Sequence, residues 1–95
     1  MDTNKISFDL AKSMMVEYTI EAISNLKKFI KEESNGMPEK DINLLKKYLK
    51  KLKKAKKRVQ STKTEKEFEE TDNHKYSYYN LMTMIEKIVI KNNKG

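Results

Sequence analysis

From Lys46 to Arg58 the chain reads KKYLKKLKKAKKR, nine basic residues in thirteen with no acid among them. Its spacing decides the fold. At about 100° per residue from Ile42, the apolar side chains Leu44, Leu45, Tyr48, Leu49, Leu52, Ala55 and Val59 fall between roughly 200° and 340°. Lys46, Lys47, Lys50, Lys51, Lys53, Lys54, Lys57 and Arg58 fall between roughly 20° and 180° on the same wheel. Lys56 alone enters the apolar arc, where its alkyl stem can snorkel outward. The segment is therefore read as an amphipathic helix with a wholly cationic outer face. Leu49→Asp is expected to unfold the domain, because it would place an unpaired charge on the buried side.

The same run holds the charge imbalance of the chain. Residues 42–64 carry ten basic side chains and no acid, whereas the remainder carries eleven basic and fourteen acidic ones. One concentrated positive patch thus sits on a slightly acidic body, and the total is +7.

Upstream, Ser34-Asn35-Gly36-Met37-Pro38 is the strongest boundary in the sequence. Gly36 suits a left-handed helix end and Pro38 the first turn of the next helix. A helix is predicted on either side, over about residues 7–33 and 38–60, forming an antiparallel hairpin. Ser7 is the expected N-cap of the first. Phe8, Ala11, Met15, Tyr18, Ala22, Leu26, Phe29 and Ile30 form its main stripe. Val16, Ile20 and Ile23 widen that stripe on one side, and Leu10 and Met14 on the other. So much apolar circumference marks it as the central element.

Downstream, residues 61–72 read as an acidic connection, with Glu65, Glu67, Glu69, Glu70 and Asp72 and only Phe68 to bury. It reads as a mobile connection or a short helix, solvated rather than folded back on the lysines. Thr64 with Glu67 matches a capping box, so a short extra helix is the alternative. The acids also raise the question of whether this segment folds back over the lysines. A last helix is expected over about residues 73–92, with Leu81, Met82, Met84, Ile85, Ile88 and Val89 inward and a frayed tail from Asn92. The predicted class is all-α: a single domain over residues 1–95, built as a small three-helix bundle from the hairpin and the C-terminal helix.

Composition narrows the function. With no Cys, the chain has no disulfides and no thiolate metal site. No Gly-rich phosphate loop, HExxH motif or metal-ligand cluster is present, and one His and one Arg leave little for acid–base catalysis. No enzyme, metal or cofactor is expected. The opening MDTNKISFDLAKS lacks the basic stretch and apolar core of a secretory signal, so a cytoplasmic location is the expectation.

A helix that forgoes Glu–Lys pairs accepts like-charge repulsion, which argues for an anionic partner. The leading expectation is a binding protein that engages nucleic acid, or a protein–nucleic-acid assembly, through backbone phosphates and without sequence specificity. Its contacts would be Lys46, Lys47, Lys50, Lys51, Lys53, Lys54, Lys57 and Arg58. The alternative is a protein-interaction inhibitor or adaptor that docks the same face on an acidic partner surface. Tyr76 and Tyr79, which lie off the last helix's apolar face, are the candidate contacts there. A membrane surface is disfavoured, because the basic helix carries no Trp or Phe and its leucines are needed by two partner helices. The apolar surplus of the first and last helices leaves a homodimer open. In size, composition and lack of catalytic motifs the chain is similar to many small accessory proteins of phages and mobile elements. Several of those block host machinery by binding it, but the likeness assigns no residue a role.

Overall fold

A computed structural model describes residues 3–93, with side-chain surroundings from residue 8 onward. Among them are four helices and no strand: α1 (Thr3–Glu33), α2 (Glu39–Gln60), α3 (Glu65–Asp72) and α4 (Tyr78–Asn92). The molecule is a rod of 54 × 19 × 19 Å with a radius of gyration of 15.3 Å. A compact chain of this length would have a radius near 12 Å. The rod follows from α1, whose 31 residues span about 46 Å at helical rise.

The α1–α2 hairpin forms as the sequence predicts. Gly36 adopts φ +87°, the Ser34 hydroxyl donates to the Ile30 carbonyl at 2.6 Å, and the Met37 N–H donates to the Ser34 carbonyl at 3.0 Å. Pro38 is the N-cap of α2 rather than its first residue. Nothing lies within 4 Å of where a Cβ on Gly36 would sit, so Gly36→Ala meets only backbone strain. That substitution is expected to cost about 1 kcal/mol and to lower the melting temperature by about 4–8 °C in a thermal melt.

Four expectations are corrected. First, α1 begins at Thr3, so Ser7 lies inside the helix and is not its cap. Second, the central element is α2, which packs against each of the other three helices. Its Leu45 and Leu52 are fully buried, Ala55 and Val59 nearly so. Third, part of the acidic connection is not a linker but the short extra helix that the Thr64–Glu67 capping box offered as the alternative. In α3 the Glu67 N–H donates to the Thr64 hydroxyl at 3.1 Å, and the Glu67 carboxylate accepts from the N–H groups of Thr64 and Lys63 at 3.2 and 2.7 Å. Phe68 anchors this short helix by meeting the edge of Phe8 at 5.7 Å. Fourth, the last helix starts at Tyr78, not near residue 73. The Ser77 hydroxyl caps it by accepting from the Asn80 N–H at 3.3 Å, and the turn before it is tied by the Ser77 N–H to the His74 carbonyl at 3.1 Å.

α4 runs parallel to α1. The Tyr18 and Tyr78 rings stack at 6.3 Å, and Ala22, Leu26 and Phe29 line a shared groove with Met82, Ile85 and Val89. The far end of α4 is clasped to the start of α2. Asp41, 2% exposed, takes an ion pair from Lys91 at 3.1 Å and a hydrogen bond from the Asn92 amide at 3.1 Å. Asn92 is therefore a fixed member of α4 rather than part of a frayed end, while Lys94 and Gly95 lie outside the described residues. Those two hydrogen bonds hold the Asp41 carboxyl below its ordinary pKa.

Candidate functional site

α2 carries the site because its sequence separates charge along the helix as well as around it. Glu39 and Asp41 occupy the first turn and Lys57 and Arg58 the last, both favourable to the helix dipole. The cations between them lean outward because the opposite face is filled with leucine. Lys46, Lys47, Lys50, Lys53, Lys54 and Lys57 are exposed, and Lys51 and Arg58 are half-buried. Lys56, on the apolar arc, is half-buried as well.

These charges are not neutralised from within. Among the described residues the one ion pair joins Asp41 to Lys91, and no cation of α2 has an acidic partner. The acids of α3 do not fold back over the lysines as ion pairs. Glu67 instead serves its own helix start, and the two donated backbone N–H groups hold its carboxyl below the ordinary pKa.

Arg58 and Tyr76 depart from the wheel together. The Arg58 guanidinium donates to the Tyr76 carbonyl at 3.5 Å, and burial draws its pKa below the usual value. Tyr76 lies in the turn before α4 and packs against the core. The Lys51 ammonium stands 4.5 Å from its ring centroid, and the Lys75 ammonium 5.5 Å. Tyr76 thus joins the edge of the basic face. Lys75 and His74 come with it, and no periodicity in the sequence points to either. Tyr79 does not join them. It is 56% exposed and packs T-shaped at 5.3 Å on Tyr78, the ring that stacks on Tyr18 of α1.

His74 reports the field at this edge. Its Nδ1 accepts the Tyr76 N–H at 3.0 Å. Desolvation first, then the charges of Arg58 and Lys51, hold its pKa below the ordinary 6.5. His74, Glu67 and Asp41 all take up protons less readily folded than unfolded, from ordinary values of 6.5, 4.5 and 3.8. Each therefore stabilises the fold fully above its ordinary value, and the contribution is lost as pH falls from there through the lower folded pKa. Thermal melts should be level above pH 6.5, decline gently below it, and decline more steeply below 4.5. Glu67→Gln should make the steep branch shallower. A melting temperature that rises on acidification would contradict these assignments.

Among the described residues no group of three or more acids or histidines is placed to hold a metal ion. No described helix is long and apolar enough to cross a membrane. What the arrangement offers is a band of exposed ammonium groups along one face of a helical rod. The chain matches no protein-family model, no curated protein sequence and no solved structure.

Proposed function

We propose that the protein is a non-enzymatic, sequence-independent nucleic-acid-binding protein, with the outer face of α2, carried on a three-helix bundle, as its contact surface. The observation that carries this reading is the set of six exposed lysines on one helix face with no acid paired to any of them. From Lys46 to Arg58 the face runs about 18 Å along the helix axis, enough to follow several consecutive phosphates. Ammonium groups on flexible stems contact phosphate oxygens and read no base edge, so affinity comes from counterion release. Lys51 and Arg58, drawn toward Tyr76, border this face rather than reach from it.

Fluorescence anisotropy with labelled duplex DNA, single-stranded DNA and RNA over a salt series tests the reading. Micromolar binding that falls by roughly 10²–10³-fold between 50 and 200 mM salt is the expected result for about five neutralised phosphates. Absence of binding at 50 mM salt would overturn it and assign the lysines to an acidic protein surface.

A further inference from the structure

Among the described residues six large apolar side chains are exposed, and five of them fall on the α1–α4 side of the rod. Leu10, Met14 and Tyr18 are 58%, 42% and 42% exposed and follow one another at four-residue spacing on α1. Tyr79 and Ile90 of α4 are 56% and 60% exposed. Tyr18 and Tyr79 both meet Tyr78, and Ile90 lines the groove between α1 and α4. That groove has a volume of about 260 Å³ and is walled almost entirely by apolar side chains. The sixth, Ile20, points elsewhere, toward Gln60 at the end of α2.

We infer that this α1–α4 face is the interface of a homodimer, in which a second copy of the chain covers the same strip and both α2 faces point outward.

Four observations favour a second copy as the occupant. One flank of a rod 54 Å by 19 Å offers about 1,000 Å², against about 800 Å² per partner in a standard interface. The five side chains alone expose on the order of 500 Å², at the upper end of what a monomer leaves in water. The acids beside Tyr78, Glu21 and Glu86, also disfavour a phosphate or an anionic headgroup at that point of the face. Finally, the face lies on the side away from the lysines. Pairing through it sets the two cationic faces about 40 Å apart, two widths of a 19 Å rod, so at a screening length near 8 Å the charges scarcely repel.

Sedimentation equilibrium of the full chain between 10 and 500 µM in 150 mM salt tests this. Wild type should approach twice 11.3 kDa. Tyr79→Glu and Met14→Glu should sediment at 11.3 kDa, with dimerisation weakened at least 30-fold and with wild-type circular dichroism. Ile20→Glu should remain dimeric, since Ile20 lies off the face. A wild-type monomer across the range would overturn the inference, as would open-ended assemblies. Loss of the dimer in Ile20→Glu to the same degree as in Tyr79→Glu would overturn it too. A monomer that co-floats with phosphatidylcholine vesicles would assign the face to a membrane instead. Neither outcome bears on nucleic-acid binding by α2, which is read separately by anisotropy.

Discussion

Replacing Lys46, Lys50, Lys53 and Lys57 together by Glu should abolish nucleic-acid binding while leaving helical content unchanged. All four side chains are exposed on the outer face of α2 and none holds another part of the molecule. Each reversal removes two units of charge, so the net +7 of the wild type becomes −1. A surface that gained affinity from counterion release would then repel phosphates, and a loss of at least about 10³-fold follows. Glu and Lys have similar helix propensities, and the one local cost is an acid at position 57, in the last turn of α2, against the helix dipole. Lys47, Lys54 and Lys56 would each lie three or four residues from an opposite charge, turning several repulsive pairs into attractive ones worth about 1 kcal/mol together. A variant that melts near the wild-type temperature and no longer binds is the expected outcome. Unimpaired binding by a folded variant would remove α2 from the interface.

α2 was legible because two independent signals coincide in it. The leucines mark one arc and the lysines the complementary arc, so period and polarity give the same orientation. The hairpin was legible for a similar reason, since Gly36 and Pro38 each restrict the backbone in the same direction. α1 was harder. Its apolar residues occupy more circumference than any neighbour covers, because its 31 residues face an α3 of 8 and an α4 of 15. Nothing local distinguishes Leu26, buried against α4 and α2, from Leu10, which stays exposed. The width that suggested a central helix instead leaves an uncovered flank.

The turn at residues 73–77 was misread because Asp72 and Asn73 are themselves good capping residues. Ser77 displaces them since its hydroxyl is placed on Asn80 while the Asn80 amide reaches back to the His74 carbonyl at 3.0 Å. That closure depends on the turn's shape, which periodicity cannot supply. The site was legible in its lysines and opaque at its edge. Arg58 and Tyr76 meet across eighteen residues, and only the docking of α4 on α2 brings them together.

That docking places the second large effect at Leu52. Leu45, Leu52 and Leu81 are 0% exposed where α2 faces its neighbours, whereas Leu49 lies on the flank of the same helix and is half-buried. The expectation that Leu49→Asp unfolds the domain therefore moves to Leu52. Truncating a fully buried leucine loses its transfer energy and leaves a cavity, together about 3–5 kcal/mol. Against a total stability of about 5–15 kcal/mol this is a large share, and at about 4–8 °C per kcal/mol Leu52→Ala should melt roughly 15–30 °C below wild type. Leu52→Asp should not fold at all, because no cation or donor stands ready for a carboxylate at the centre of the hairpin. At Leu49 the carboxylate can turn toward water beside Lys46 and Lys53, so Leu49→Asp should fold with a reduced melting temperature. Circular dichroism melts of the three variants check the order. If Leu49→Asp proved as disruptive as Leu52→Asp, or if Leu52→Asp melted near wild type, α2 would not present the face described here to α1 and α4.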